Sequence, residues 1–292
     1  MQALDYQRFS FSDCRRWVKR QALPVAVSVL KYFDTRFERD DHGQLVLNPD
    51  QAVETLWWGV TNDMPTVAGL NNITARLCAL PENLTSAHDR VFFAKMKAAC
   101  PAVPVEQGRL APAQTYKNQR SNVENPELYA IWPFRLYGLG KPGLELARAA
   151  YAHRANHLDD GWSYDGNCAA LLGLTDEAAR SLKVKCANSN PAYRWPATWG
   201  PNFDWLPDQD HGGNLLTTTD LMLLQSDGDK IRLLPAWPKD WDVSFKLHAA
   251  RNTTVECVYR GGKVEKLRVT PSARASDVIL PGGETAQETR QQ

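Results

Sequence analysis

The hydrophobic periodicity of the sequence changes at Lys230, and this change limits the folds that the chain can adopt. Before Lys230, apolar residues recur at helix-like spacing, and Pro or Gly residues interrupt the pattern between segments. After Lys230, apolar and polar residues alternate in short segments that are rich in β-branched residues. The sequence therefore predicts a mostly α-helical protein that ends in a small antiparallel β-unit.

The same patterns predict the individual elements. Helices are predicted over residues 12–37, 50–59, 66–80, 86–98, 126–138, 143–156, 164–173, 175–187 and 213–226. Strands are predicted in KIRLLPAWP, VSFKLHAAR, TTVECVYR and KVEKLRVTP, and Gly261-Gly262 predicts a hairpin turn. The expected domains are a helical portion over 1–228, a β-unit over 229–280 and a disordered tail over 281–292. Paired helices favour a toroid of helical hairpins, and a helical bundle with a β-extension fits the same periodicity.

Composition excludes several classes of partner. The chain has 292 residues, of which 43% are hydrophobic, so it can bury a substantial core. Its formal net charge is +1, from 34 basic and 33 acidic residues without long runs, so binding to nucleic acid or to an anionic membrane is not expected. No apolar run is long enough to span a bilayer, and the first residues lack the pattern of a signal peptide.

No cofactor and no metal are expected. The six cysteines are scattered without the short paired spacing of a zinc or thioredoxin-like site. Their pattern does not indicate whether the protein works in a reducing or an oxidising compartment. The sequence also lacks a glycine-rich phosphate loop after a strand, a paired-histidine metal motif and a serine nucleophile elbow.

The segment from Asp208 to Pro238 is the strongest candidate for a functional site. It reads DQDHGGNLLTTTDLMLLQSDGDKIRLLPAWP, a polar loop followed by an apolar helix and a strand. Gly212 and Gly213 permit close approach of a ligand to Asp210, and Asn214 is expected to cap the helix. A carboxylate at a helix entrance, with tryptophans upstream, suits a sugar-cleaving site, although an Asp beside Gly more often forms a simple turn.

The string GGNLLTTTDLMLLQSDGDKIRLLPAWPKDW resembles the end of the catalytic barrel of the six-hairpin (α/α)6 glycosidases, closest to glycoside hydrolase family 95. That family, which includes α-L-fucosidase-like and α-L-galactosidase-like enzymes, ends its barrel with an Asp-Gly-Asn-Phe-Gly type motif and a Leu-Leu-Gln-Ser type sequence. Matching LLQS at 223–226 places the family's general-base Asp on Asp210, and GWS at 161–163 matches a second family motif. The resemblance extends in weaker form from about residue 45 to 270.

The resemblance also implies a general acid. The family places this Glu after a proline and before an Asp-Met pair, and LNPDQAVETLWWGVTNDMP offers Glu54 between Pro49 and Asp63. Inverting cleavage of a glycosidic bond needs one protonated carboxyl group at the leaving oxygen and one ionised carboxylate that activates water. Glu54 and Asp210 are the predicted pair, and Trp57 with Trp58 would supply an apolar wall for the acid. A surface Glu in the first turn of a helix is the competing interpretation of Glu54.

Several further residues are candidates for contacts with a sugar. Tryptophan rings can stack on the apolar face of a pyranose, and polar side chains can bond its hydroxyl groups. The candidates are Glu124, Asn125, Trp162, Trp199, Trp205, His211 and Asn214. For Asn125 a role as a helix cap is the favoured alternative. The family's His-Arg-His type motif has no counterpart in VENPELYAIWPFRLYGLGKP, so the resemblance does not carry over the specificity for fucose.

The resemblance covers only the C-terminal half of the family's barrel, and two asparagines that help its Asp to activate water have no counterpart. A half-open toroid would expose apolar helix faces, so self-association or pairing with a missing barrel half is expected. The substrate implied is an oligosaccharide or glycan, and full-length relatives are expected to be extracytoplasmic or secreted.

Two alternatives to a hydrolase stay open. The first is a non-catalytic carbohydrate-binding or assembly remnant of such an enzyme. The second and weaker alternative is a polysaccharide lyase, with Tyr193, Arg194 and His211 as candidate residues, since helical toroids also host that chemistry.

Overall fold

The computed structural model of the chain describes residues 14–159, 162–187 and 210–282. The chain divides into two compact units, Met1–Asn156 and His157–Gln292. Helices make up 43% and strands 23% of the structure, and the strands form several small, mainly antiparallel sheets. The predicted mostly α-helical toroid of hairpins is therefore wrong, and the fold is a mixed α/β fold. The predicted domains, 1–228 and 229–280, stay a prediction, and most of the predicted tail lies outside the described residues.

The first unit contains five α-helices and two short 3₁₀ turns among its described residues. A continuous helical segment begins with α1 and a π-helical turn at Val18–Ala22 and continues directly into α2. The α-helices are α1 (Cys14–Trp17), α2 (Leu23–Arg36), α3 (Met64–Cys78), α4 (Ala87–Ala98) and α5 (Leu144–Ala152). The 3₁₀ turns are Glu82–Leu84 and Pro126–Ala130.

Seven short strands join these helices. They are β1 (Glu38–Arg39), β2 (Leu45–Val46), β3 (Asp50–Ala52), β4 (Leu56–Asp63), β5 (Val105–Glu106), β6 (Arg109–Leu110) and β7 (Ala113–Thr115). Strands β3, β4 and β7 form one antiparallel sheet in that order, and β1–β2 and β5–β6 are two-stranded hairpins.

The helix predicted over 50–59 is wrong, because this segment forms β3, a tight turn and the start of β4. The sequence LWWGVTND combines aromatic and β-branched residues, which favour a strand. Gly59 also has a φ of 67°, which no residue of a right-handed helix adopts. The other strands missed in this unit are two or three residues long, too short to show an alternating pattern.

Helices α2, α3 and α4 enclose the main core of the first unit. Leu30, Phe93 and Met96 are completely buried there, together with Leu47 from the segment after β2. Capping fixes the helix ends: Ser86 and Asp89 form a reciprocal capping box at α4, and the Asp63 side chain accepts a hydrogen bond from Thr66 N at α3.

The second unit places three helices before a set of strands. The helices are α6 (Asp165–Leu171), α7 (Thr175–Ala187) and α8 (Asp210–Leu223). The strands are β8 (Leu224–Asp227), β9 (Lys230–Leu233), β10 (Val243–Ala249), β11 (Thr253–Arg260), β12 (Lys263–Thr270) and β13 (Val278–Ile279), with a 3₁₀ turn at Ser272–Asp277. The predicted antiparallel strands and the Gly261-Gly262 hairpin are confirmed by the β10–β11–β12 sheet.

The helix predicted over 213–226 ends earlier, because its last residues enter a strand. Gln225 and Ser226 belong to β8, which pairs antiparallel with β9. The Gln225 side chain remains tied to the helical layer, since its Nε2 donates to the carbonyl groups of Ala170 and Leu221 at 2.7 and 3.0 Å. The junction between α8 and the sheet is thus fixed by a buried amide.

Helix α6 is buried along its whole length and packs against α7 and α8. At Gly166 a Cβ atom would lie 2.8 Å from Thr218 Oγ1 and 3.0 Å from Ser181 Oγ. The Thr218 hydroxyl cannot move freely, because it donates to Asn167 Oδ1 at 2.6 Å. Glycine at this position therefore permits the close approach of the three helices.

We predict that Gly166→Ala destabilises the protein by about 1–3 kcal/mol, since the added methyl group overpacks a buried contact. Gly213→Ala is the matched control: Gly213 is also helical, but nothing lies within 4 Å of its Cβ position. That control is expected to be neutral or to stabilise by up to about 1 kcal/mol. Urea unfolding of both variants measures the difference, and equal effects of the two substitutions would contradict this packing.

Candidate functional site

Glu54 lies in the tight turn between β3 and β4, and its side chain is exposed. The flanking strands anchor the turn, since Ala52, Leu56 and Val60 are buried in a small apolar cluster. The residue before Glu54 has an unusual backbone: Val53 adopts a φ of 48°. A β-branched residue in the left-handed region is strained, and such strain is often found at functional sites.

The loop before the 3₁₀ turn at Pro126–Ala130 holds the Glu54 turn in place. Ser121 N donates to the carbonyl of Thr55 at 2.9 Å, and Thr55 Oγ1 donates to the carbonyl of Glu124 at 3.3 Å. Arg120 Nη1 donates to the same Glu124 carbonyl at 3.1 Å. These three bonds fix the loop against the turn, so the side chains of Glu54 and Glu124 occupy one region of the first unit.

Each of these two carboxylates has a neutral hydrogen-bond donor. Asn122 Nδ2 donates to Glu54 Oε2 at 3.0 Å, and Tyr129 OH donates to Glu124 Oε1 at 2.9 Å. Burial raises the pKa of Glu124, the Tyr129 hydrogen bond opposes that rise, and the negative charge of Glu54 adds to it. Glu54 and Glu124 are therefore electrostatically coupled carboxyl groups, as expected of an acid–base site.

Trp57 and Trp58 follow the turn at the start of β4 and are 40% and 77% exposed. Consecutive residues of a strand point to opposite faces, so the two indoles present apolar surface on both sides of β4. Sequence reasoning proposed them as an apolar wall for Glu54, and both stand beside the turn with much of their surface exposed.

Asp210 is the first described residue of α8, and its side chain, like that of His211, lies outside the described part of the structure. Gly212 and Gly213 follow in the first turn of the helix, and no atom of the described residues lies within 4 Å of either Cβ position. They are helical and do not form a loop as predicted. Trp199, Trp205, Tyr193 and Arg194 lie outside the described residues.

Asn214 does not cap α8, because the helix begins at Asp210. Its side chain instead joins a polar network inside the second unit: Nδ2 donates to the carbonyl of Trp162 at 2.9 Å, and Oδ1 accepts from Asn167 Nδ2 at 3.0 Å. This bond links the backbone of Trp162 to α8. The indole of Trp162, which was predicted to stack on a sugar, is partly exposed. Both residues contribute to the internal structure of this unit.

Asn125 occupies the capping position of the 3₁₀ turn, but its side chain makes no capping bond. It pairs with the backbone of Asn156: Nδ2 donates to the carbonyl at 2.8 Å, and Oδ1 accepts from the backbone amide at 3.1 Å. Asn125 is also buried, since only 3% of its surface is exposed. This arrangement closes the end of the first unit and makes Asn125 a structural residue.

Two residues of the Glu54 region were missed by sequence reasoning. Asn122 and Tyr129 each bond one of the carboxylates, yet neither belongs to a motif that singles it out. Asn122 lies two residues before Glu124, and Tyr129 lies five residues after it. These positions become informative only when the loop is known to contact the β3–β4 turn.

A second carboxyl pair lies at the far end of the β3–β4 hairpin. Asp50 Oδ2 accepts a hydrogen bond from Asp63 N at 3.1 Å, and Asp63 Oδ2 is buried without a hydrogen-bond donor. Burial first, and then contact with the Asp50 carboxylate and its charge, raises the pKa of Asp63 to about 8, while Thr66 opposes the rise. The raised pKa favours the protonated form of Asp63, whose proton can be donated to Asp50.

Trp237 and Trp241 in the second unit form a structural pair. Their ring centroids are 5.3 Å apart in an edge-to-face arrangement, and Trp237 Nε1 donates to the Trp241 carbonyl at 2.8 Å. Trp237 also packs on the β-sheet core. Both tryptophans therefore contribute to the internal packing of the second unit.

Within the described ranges, no group of three or more His, Cys, Asp or Glu side chains is placed to hold a metal ion. Among these residues, none of the helices combines the length and apolar character needed to cross a membrane.

We predict that Glu54→Gln lowers the pKa of Glu124, because the variant removes a neighbouring negative charge. Carboxyl ¹³C NMR measures this pKa, with Glu124→Gln used to assign the signal. Glu38→Gln changes an exposed glutamate of β1 and should leave the Glu124 titration as it is. If Glu124 titrates identically in the wild type and in Glu54→Gln, the two carboxylates are not coupled.

We predict that Asp63 makes the protein less stable as the pH rises. The ordinary pKa of an aspartate is 3.8, and the folded environment raises the pKa of Asp63 to about 8. The contribution of Asp63 to stability is therefore complete below about 3.8 and is lost as the pH rises to about 8. In that window the free energy of unfolding falls by up to about 1.4 kcal/mol for each pH unit.

Asp63→Asn can keep the cap at Thr66 and donate to Asp50, so its advantage over the wild type should grow from about pH 4 to about pH 8. Urea unfolding at a series of pH values measures this difference, with the exposed Asp41→Asn as control. Parallel stability profiles of wild type and Asp63→Asn would show that Asp63 is ionised in the fold.

The chain matches no family model, and none of the curated proteins matches its sequence.

Proposed function

We propose that this protein is a glycoside hydrolase that removes an α-linked terminal sugar, fucose-like or galactose-like, from a glycan with inversion of configuration. Glu54 is the general acid and Asp210 the general base. The resemblance of the segments around both residues to glycoside hydrolase family 95 motivates the assignment. The observation that supports it most is the arrangement of Glu54: an exposed carboxyl group in a strained, anchored turn, held by Asn122 beside a second carboxylate.

The hydrogen bond from Asn122 fixes one oxygen of Glu54 and orients the carboxyl group. An acid held in this way can present its other oxygen to the oxygen atom of a glycosidic bond. Burial, and to a smaller extent the charge of Glu54, raises the pKa of the neighbouring Glu124, so a second carboxyl group interacts electrostatically with Glu54. Because Trp57 and Trp58 lie on opposite faces of β4, the exposed indole of one of them offers a flat apolar surface to the sugar next to the cleaved bond.

In the proposed reaction, Glu54 donates its proton to the leaving oxygen while the bond from that oxygen to the anomeric carbon breaks. Asp210 accepts a proton from a water molecule whose oxygen attacks the anomeric carbon from the opposite face. Inverting enzymes keep their two carboxyl groups about 6.5–9.5 Å apart, so that this water fits between them.

We expect Glu54→Gln to lose hydrolysis of α-L-fucosides and α-L-galactosides with poor leaving groups by about 10²–10⁴-fold. Aryl glycosides with strongly acidic leaving groups need little protonation, so their hydrolysis should be largely retained. The kcat/KM values across a series of leaving groups measure the effect, and Glu38→Gln is the matched control. If kcat/KM falls by the same factor for all leaving groups, Glu54 is not the general acid.

Asp210→Asn is expected to abolish turnover of every glycoside in the series, because a general base acts on water whatever the leaving group is. Equal turnover by this variant and the wild type would show that Asp210 is not the general base. Calorimetric binding of glycans by a wild-type chain that hydrolyses none of them would favour the non-catalytic carbohydrate-binding alternative.

A further inference from the structure

A second polar site lies in the first unit, in a cavity of about 160 Å³ between the β5–β6 hairpin, the segment after β7 and the end of α5. At about 30 Å³ for each water molecule, this space corresponds to roughly five waters, which is comparable to one sugar ring. Its polar lining is made by Glu106, Arg109, Tyr116, Arg120, Glu127 and His153.

The charged groups of this cavity are arranged in two pairs. Arg109 Nη2 lies 3.7 Å from Glu106 Oε1, and Arg120 Nη2 lies 3.6 Å from Glu127 Oε2. Each positive charge is thus balanced by a carboxylate, so neither an anion nor a cation is favoured by net charge. An anion would meet two carboxylates, and a cation would meet two guanidinium groups.

Both ion pairs are longer than a good N–H···O hydrogen bond, which measures about 2.7–3.2 Å. Glu106 Oε1 already accepts a hydrogen bond from Tyr116 OH at 2.8 Å, whereas Glu127 Oε2 is buried without a hydrogen-bond partner among the described residues, so Glu127 and the guanidinium groups keep hydrogen-bonding capacity for a ligand. A hydroxyl group can donate to a carboxylate and accept from a guanidinium at the same time. A compact neutral molecule with several hydroxyl groups fits this pattern of donors and acceptors.

The remaining lining consists of Asn118 and the apolar residues Leu110, Pro112, Ala150 and Ala155, and of these four apolar residues only Ala155 is exposed. A pyranose combines a ring of hydroxyl groups with apolar C–H faces, so it can use both kinds of surface. A simple inorganic anion has no apolar face to place against these residues.

One side chain connects the cavity with the proposed active site. Arg120 lines the cavity, and its Nη1 donates to the carbonyl of Glu124, in the loop that holds the Glu54 turn. The same stretch of chain therefore presents Asn122 and Glu124 to the turn and Arg120 to the cavity. Two sugar residues of one glycan would contact the two ends of this stretch.

We propose that this cavity is a subsite for a further, uncharged sugar residue of the glycan, a proposal that rests on the proposed glycosidase function. Arg109 and Arg120 donate to its hydroxyl oxygens, Glu106 and Glu127 accept from its hydroxyl groups, and Ala150 and Ala155 contact its C–H face. The subsite selects glycans longer than the single sugar that is cleaved.

Methyl NMR of the full chain, labelled at alanine methyl groups, tests this subsite directly. L-Fucose, D-galactose and D-glucose are titrated separately at millimolar concentrations, and Ala150 and Ala155 report on the cavity. At least one sugar is expected to shift both signals in a saturable manner, while Ala152, exposed on the same helix, should not respond. Single Ala→Ser variants assign the signals.

Ala155→Phe is expected to fill the cavity and to abolish the shift of Ala150. Ala155 is exposed, so the added ring does not have to enter the core, and the exposed Ala152→Phe is the matched control. If the sugars leave Ala150 and Ala155 unmoved, or if Ala150 still shifts in Ala155→Phe, the proposal is overturned. Inorganic phosphate that shifts these methyl signals when the sugars do not would also overturn it, in favour of an anion site.

Hydrolysis of aryl glycosides, measured on the same preparations, separates this proposal from the proposed function. If the methyl signals shift in a saturable manner but the chain hydrolyses no glycoside, the cavity is supported as a sugar site and only the proposed hydrolase function is overturned. Hydrolysis without methyl shifts overturns the cavity proposal alone.

Discussion

The contact between the β3–β4 turn and the loop at 120–125 is the constraint on which the candidate site depends. An exposed turn would ordinarily leave the Glu54 side chain free to sample many directions. Here the backbone bond from Ser121 to Thr55 joins turn and loop, and the Glu124 carbonyl accepts from both Thr55 and Arg120. Because of these bonds, two carboxylates, an amide and a phenol are held together, although they come from distant parts of the sequence.

The two carboxyl pairs of the hairpin show that burial alone does not identify a catalytic group. Asp63 is almost completely buried and has a raised pKa, yet it caps α3 and contacts Asp50 inside the sheet. Glu54 is exposed and held by one amide, so a substrate can reach it. Accessibility to a glycan therefore separates the candidate acid from the structural carboxyl group of the same hairpin.

Where the sequence pattern was long and regular, it predicted the structure well. The helix predicted over 175–187 is confirmed by α7 (Thr175–Ala187), and the strands after Lys230 form the expected sheet. Residues 50–59, the first part of the β3–β4 hairpin, were mistaken for a helix because the strands are joined by a three-residue turn and Gly59 interrupts the alternation. That single error hid the turn geometry on which the exposure of Glu54 depends.

The candidate site was predictable only in part. A resemblance to known motifs marked Glu54 and Asp210, but no local pattern marked Asn122 or Tyr129, whose roles arise from contacts between distant segments. Asn125 and Asn214 were predicted as binders or caps, and both bond the interior of their own unit instead. A side-chain amide can cap a helix, bind a ligand or bond a buried backbone group. Only tertiary packing decides which of these three roles it has.

We propose that Glu54 and Asp210 act as the acid and base of an inverting glycosidase. The configuration of the sugar when it is first released distinguishes inversion from retention, and ¹H NMR can follow it during hydrolysis of an aryl α-L-fucoside or α-L-galactoside, before the anomers equilibrate. A general base that activates water predicts that the β-anomer appears first. Initial release of the α-anomer would contradict the account, because retention requires a nucleophile that forms a covalent intermediate with the sugar.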